Sequence, residues 1–223
     1  MIKAIIFDLD NTLLDFMAFK HASVDAALDA MIQSGLRLGK DEAKKRLYAI
    51  YDKHGIEYDK IFDDFLADVE GAVDYRKLAH AIHAYRHERS QHLLPYPMVI
   101  PTLRKLRDSS VQLAIVSDAP RIKAWMRLVG AGLDPFFGIV VTHDDTCKFK
   151  PCPEPFEAAL KLLRVTPSEV LMVGDNAERD IKGAKALGIK TCWAEYGAEK
   201  PLSVKPDFVI KEIDELLGIV KQT

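Results

Sequence analysis

Asp8-Leu9-Asp10-Asn11-Thr12 is the first segment of this 223-residue chain that could do chemistry. It follows a short apolar run, Ile2 to Phe7, that reads as a strand buried on both faces. Two carboxylates at the end of a buried strand are costly unless a cation compensates them, and oxygen donors of this kind suit Mg²⁺. Other polar residues sit in the same relation to apolar runs. Ser117 and Asp118 follow Leu113-Ala114-Ile115-Val116. Gly174 and Asp175 follow Val170-Leu171-Met172-Val173, with Asp180 five residues on. Lys150 lies in a loop just ahead of Pro151, Pro153 and Pro155. If the runs are parallel strands, these residues share one rim, because ligands of an open parallel sheet bind beyond its carboxyl ends. Asp8, Asp10, Asp175 and Asp180 would then line an acidic pocket that one Mg²⁺ and one lysine could balance. Lys150 would supply a point charge for a phosphoryl group, and Ser117 with nearby backbone N–H groups would supply neutral donors. A carboxylate beside a metal can attack phosphorus, and a second can protonate a leaving oxygen and then activate water.

The elements that must hold these groups fall into two kinds. Val24, Ala27, Leu28 and Met31 recur at helical spacing, as do Leu47, Ile50 and Tyr51, then Ile61, Phe62, Phe65, Leu66 and Val69, then Leu78, Ile82 and Tyr85. Residues 15–94 therefore read as a helical block, and Pro95, Pro97 and Pro101 mark the return from it. Beyond it, strands and helices alternate. Strands are expected at Val111 to Val116, Gly138 to Thr142, Val170 to Val173, Ile189 to Trp193 and Asp207 to Ile210. Helices are expected through Ile122, Trp125, Met126 and Val129, over Pro155 to Leu163, over Ala177 to Leu187 and around Ile213 to Val220. Repeated strand–helix units imply an α/β fold, a doubly wound parallel sheet of residues 1–14 and 95–223 carrying an inserted helical domain.

Composition excludes several classes. With 48% apolar and 29% charged residues, the chain is ordinary for a globular protein, and a net charge of −2 gives no field favouring nucleic acid or an anionic membrane. No apolar run approaches the ~18–20 residues of a membrane span. Cys147, Cys152 and Cys192 are odd in number and lack close pair spacing, which suits a reduced, cytoplasmic setting. His80, His83 and His87 share one helical face and read as a solvated surface; Trp125 and Met126 read as packing. The Gly183 to Gly188 stretch reads as helix packing and a helix stop, because no strand leads into a dinucleotide-type glycine loop there.

Four motifs in this order and separation resemble those of the haloacid dehalogenase-like hydrolase superfamily, mostly phosphatases. They are Asp8 to Thr12, Ser117 after a strand, Lys150-Pro151 with Pro153 to Phe156, and Gly174 to Asp180, and the resemblance spans essentially the whole chain. It implies a Rossmann-like core with a helical cap of the first type, Mg²⁺ as cofactor and a small phosphorylated substrate. Asp8 would be the nucleophile that becomes an aspartyl phosphate. Asp10 would be the acid/base, with its backbone carbonyl on the metal. Asp175 would be the other carboxylate on Mg²⁺, Asp180 a carboxylate that either joins the metal site or supports it from outside, and Ser117 and Lys150 the phosphoryl holders. Asp118 departs from the pattern, since many relatives carry Asn there. Dehalogenase members lack the second Asp of the first motif, so Asp10 favours phosphate over halide. A cap closing over the pocket would exclude water and set substrate size, with Asp15, Phe16, Phe19 and Lys20 as either substrate-facing or packing residues at its entrance. A phosphomutase on the same scaffold and a non-catalytic phospho-ligand-binding protein are the alternatives. The protein is expected to act as a monomer or homodimer, without nucleic acid or membrane.

Overall fold

The computed structural model describes residues 1–222, with backbone alone at 89–92 and 222. Six strands form one sheet: β1 (Ala4–Phe7), β2 (Gln112–Val116), β3 (Ile139–Val141), β4 (Val170–Gly174), β5 (Lys190–Ala194) and β6 (Phe208–Ile210). Their order is β3-β2-β1-β4-β5-β6, and every neighbouring pair is parallel. The winding reverses between β1 and β4, which is where a doubly wound sheet opens a ligand crevice. Phe7 stands opposite Ile115 on one side and Val173 on the other. Asp8 therefore leaves the sheet level with the ends of β2 and β4.

All four residues of β1 are fully buried, as a central parallel strand requires. Alternate positions face one layer: Ala4 and Ile6 of β1, Ala114 and Val116 of β2, and Val170 and Met172 of β4 share a core with Phe156, Ala159, Leu160 and Leu163. Those last four lie on helix α8 (Pro153–Leu163). The period-2 strand pattern and the 3.6-period helix pattern meet in that layer.

By chain contacts the protein divides into two compact units, Met1–Phe16 with Leu93–Thr223, and Met17–His92. The second unit is built from α1 (Phe16–Gln33), α2 (Lys40–His54), α3 (Ile61–Glu70) and α4 (Tyr75–His92). Leu28, Met31, Leu47, Phe62, Phe65, Leu66 and Ala81 fill its own core. Each of the larger side chains contributes about 1.5–3 kcal/mol on burial, so this unit holds a core separate from the sheet's.

Three features differ from the sequence reading. Val99–Asp108 is a helix, α5, although Pro101 lies in it; proline is tolerated there because the first-turn N–H groups have no intrahelical partner. Helix α6 (Arg121–Gly130) turns the expected apolar stripe outward. Ile122, Met126 and Val129 are exposed, and the inner face is Ala124, Arg127 and Leu128. The helix expected over Ala177 to Leu187 begins with a π-turn, Ala177–Ile181, before α9 (Lys182–Ala186). Helices α7 (His143–Thr146) and α10 (Leu216–Gln222) complete the first unit.

Candidate active site

Asp8 still belongs to the sheet through its backbone, its N–H donating to Val173 O at 2.9 Å. The chain then folds back on itself, with Asn11 N donating to Leu14 O at 2.7 Å and Leu13 N to Leu9 O at 3.0 Å. Asn11 takes a left-handed φ of 58°, a conformation that Asn accepts more readily than most residues. The turn Glu195–Gly197 packs against this loop. A Cβ on Gly197 would fall 1.5 Å from the Asn11 carbonyl oxygen, and Tyr196 Oη donates to Thr12 O at 2.7 Å. The loop after β1 is thus braced from the turn that follows β5.

Thr12 links that loop to β4. Its hydroxyl accepts the Asp175 N–H at 3.1 Å and donates to Asp175 Oδ1 at 3.2 Å. Trp193 Nε1 donates to the Asp175 carbonyl at 2.6 Å. Asp180 reaches back from the π-turn, its Oδ2 accepting the Asn176 N–H at 3.0 Å. The wide turn, which often marks functional sites, is what swings this carboxylate toward the strand end. Gly174 leaves the space it occupies, since a Cβ there would meet Asp180 Oδ2 at 2.4 Å. We therefore predict that Gly174→Ala displaces Asp180 and destabilises the fold by about 1–3 kcal/mol, as overpacking of a buried site does. A melting temperature equal to that of the wild type would contradict this.

Lys150 sits among these carboxylates with a fully buried side chain. Its Nζ donates to Asp8 Oδ1 and to Val116 O at 2.9 Å, and pairs with Asp180 Oδ1 at 2.7 Å. Burial works against its charge, yet Asp180 and then Asp8 hold the ammonium above its ordinary range. The Lys150-Pro151 peptide is cis.

Asp8, Asp175 and Asp180 each offer an oxygen, and these atoms lie within 4.8 Å of one another. Three carboxylates face one ammonium, an excess of two negative charges. Burial first, then the Asp8 and Asp180 charges, pushes Asp175 up to about 8. Burial pushes Asp180 up to about 6, against the pull of Lys150. A buried all-oxygen set with that excess fits a hard divalent cation. It is the only such cluster of three or more among the described residues; His80, His83 and His87 are exposed, and all three cysteines are free.

The remaining expected residues are placed as follows. Ser117 is buried at the end of β2, its Oγ accepting the Ala119 N–H at 3.2 Å. Asp118 now has an account: Oδ1 accepts the Lys150 backbone N–H at 2.8 Å and Oδ2 pairs with Arg179 at 3.4 Å. It positions the Lys150 loop, and Arg179 offsets its charge. The Asp10 carboxylate lies outside the acidic trio, its Oδ2 on Arg127 at 2.5 Å. Phe16, Phe19 and Lys20 are buried. Phe16 covers the Arg127 guanidinium at 4.1 Å, and within the helical unit Lys20 donates to Tyr85 Oη at 3.0 Å beside the Tyr51 ring. Arg127, Arg179 and Trp193 were not anticipated. The available signal was an arginine in register with Ala124 and Leu128, on a face that proved to be the inner one.

Comparison with known proteins gives a consistent picture. The family model for haloacid dehalogenase-like hydrolases matches residues 2–188. A glyceraldehyde 3-phosphate phosphatase of Methanocaldococcus jannaschii is 35% identical over 223 residues, covering 99% of this chain and 98% of its own. A pyrophosphatase PpaX of Bacillus pumilus is 34% identical, covering 98% and 96%. Among solved structures, a HAD phosphatase from Thermococcus onnurineus superposes with a TM-score of 0.73 at 29% identity, over 98% of each chain. No helix among the described residues is long and apolar enough to cross a membrane.

Proposed function

Because the chain belongs to the haloacid dehalogenase-like hydrolases, and is a phosphatase among them, we propose that it hydrolyses small phosphomonoesters through an aspartyl phosphate on Asp8. The observation that carries this reading is the clustered trio Asp8, Asp175 and Asp180 beyond the ends of β1 and β4, with the Lys150 ammonium paired to Asp8 and Asp180.

A Asp8 carboxylate oxygen attacks phosphorus as the bond to the leaving oxygen breaks, and Asp10 delivers a proton to that oxygen. Water then attacks the phosphorus of the aspartyl phosphate, Asp10 takes its proton, and inorganic phosphate leaves with Asp8 restored. Lys150 and Ser117 hold the phosphoryl oxygens throughout. Asp8, Asp175 and Asp180, with the Asp10 backbone carbonyl, would hold Mg²⁺, which when bound offsets charge developing on the phosphoryl oxygens. Thr12 and Trp193 keep Asp175 in place for that task.

The names of the relatives narrow the substrate. Triose phosphates are the first choice, and inorganic pyrophosphate is a second reading favoured by the PpaX match. The free cysteines fit a reaction in the reducing cytoplasm. Phosphate release from glyceraldehyde 3-phosphate, phosphoglycolate, simple sugar phosphates and pyrophosphate, with Mg²⁺ and with chelator, tests the proposal. We expect Mg²⁺-dependent turnover with kcat/KM highest for glyceraldehyde 3-phosphate. Full activity in chelator, or no turnover of any phosphate, would refute it.

A further inference from the structure

Arg127 is a charged residue on the buried face of a helix, only 3% exposed, and the mechanism above gives it no task. A buried guanidinium must be held by partners, and its partners here are specific. NH1 meets Asp10 Oδ2 at 2.5 Å, and the Phe16 ring covers the guanidinium carbon at 4.1 Å. Asp10 lies in the loop after β1 and Phe16 opens α1, whereas Arg127 comes from α6, the helix that follows the Ser117 end of β2. One side chain therefore ties the loop that carries Asp10 to the inner face of α6.

We propose that Arg127 is a positioning residue that sets the orientation of the Asp10 carboxylate. The proposal rests on the reading of Asp10 as acid/base. A carboxylate on a single methylene can rotate about χ1 and χ2, and a proton transfer needs its oxygen within hydrogen-bond reach of the leaving group. Guanidinium is planar and its donors are fixed in a fork, so pairing with Oδ2 fixes where Oδ1 points. Phe16 presses on the guanidinium face and prevents it from swinging away. Lysine would supply charge without the fork, which separates orientation from charge in an experiment.

If Arg127 acts through Asp10, its loss matters in proportion to how much help the leaving group needs. The test measures kcat/KM at saturating Mg²⁺ for p-nitrophenyl phosphate, phenyl phosphate and an alkyl phosphate. Wild-type, Arg127→Met, Arg127→Lys, Asp10→Asn and the Asp10→Asn/Arg127→Met double variant are compared. Methionine keeps a flexible apolar stem against Phe16, and melting temperature confirms folding. For Arg127→Met we expect roughly a 10–100-fold loss on the alkyl ester and under about threefold on p-nitrophenyl phosphate, a part of what a proton-transfer residue supplies. Arg127→Lys should fall between. On phenyl phosphate the Arg127→Met change should cost less than about twofold once Asp10 is already Asn, because residues acting as a unit are not additive. An equal loss across the three esters or an undiminished loss in the Asp10→Asn background would each overturn the proposal. Failure of the acid/base reading shows separately, as wild-type-like kcat/KM of Asp10→Asn on the alkyl ester.

Discussion

Asp8→Asn is expected to abolish phosphatase turnover, by about 10⁴-fold or more, while the protein stays folded. The scale follows from removing a nucleophile that works as one unit with its surroundings. Asparagine keeps the shape of the side chain and an oxygen that can accept from Lys150. The ammonium also retains Asp180 and the Val116 carbonyl as partners. The backbone bond from residue 8 to Val173 is untouched, so neither β1 nor its pairing with β4 changes. Removing one of three clustered carboxylates also relieves repulsion on Asp175, whose proton affinity is raised by burial and then by the Asp8 charge. Melting temperature should therefore match or exceed that of the wild type at pH 8. Mass-verified protein is assayed for phosphate release, and for phosphoenzyme by acid quench with labelled substrate. The wild type should yield labelled protein and the variant none. Turnover above about 1% of wild type in the variant would end the covalent mechanism.

Much of this site was legible because buried strands and buried charges leave strong marks. Apolar runs ending in Asp8, Ser117 and Asp175, alternating with helical stretches, implied a parallel sheet, and the register puts Asp8 level with the ends of β2 and β4. Lys150 was harder to place from spacing, since no strand ends at it; what locates it is the Asp118 carboxylate on its N–H, a contact between residues 32 apart. The Asp10 pairing was not legible. Arg127 sits in a helix whose most apolar residues, Ile122, Met126 and Val129, suggested the opposite face as buried. Periodicity finds a helix but does not say which of two stripes the site needs. The π-turn was likewise hidden, because it exists to bring Asp180 back onto Asn176, a requirement of the pocket rather than of local propensity. Pro101 concealed α5 because a proline in the first turn reads the same as a proline that ends a helix.

Lys150→Met should be the most damaging change to stability and should also slow catalysis, and its damage to stability should depend on pH in a defined direction. Methionine fills the channel of the lysine stem but removes the ammonium from Asp8, Asp180 and the Val116 carbonyl. Breaking a buried ion pair by deleting one partner costs about 3–5 kcal/mol. For a chain of this length that is a fall in melting temperature on the order of 10 °C. The pH sign follows from the carboxylates left behind. Asp180 and Asp175 already have folded proton affinities raised from 3.8 to about 6 and about 8, and Lys150 lowers both, so its removal raises them further. Groups shifted upward in the folded state contribute stability that is complete below the unfolded value and is lost as pH rises through the folded one. The deficit of the variant relative to wild type should accordingly be small near pH 4, where Asp175 and Asp180 are protonated, and largest above pH 8. Mg²⁺ should recover part of it at pH 8, since a cation held by Asp8, Asp175 and Asp180 offsets the same charge, while kcat stays down by about 10²–10³-fold because the phosphoryl group has lost its ammonium. Thermal unfolding at pH 5, 7 and 8.5, each with Mg²⁺ and with chelator, reads this out. A deficit constant across that range would mean that Lys150 acts through packing alone, and one that grows toward acid would invert the charge account of the pocket.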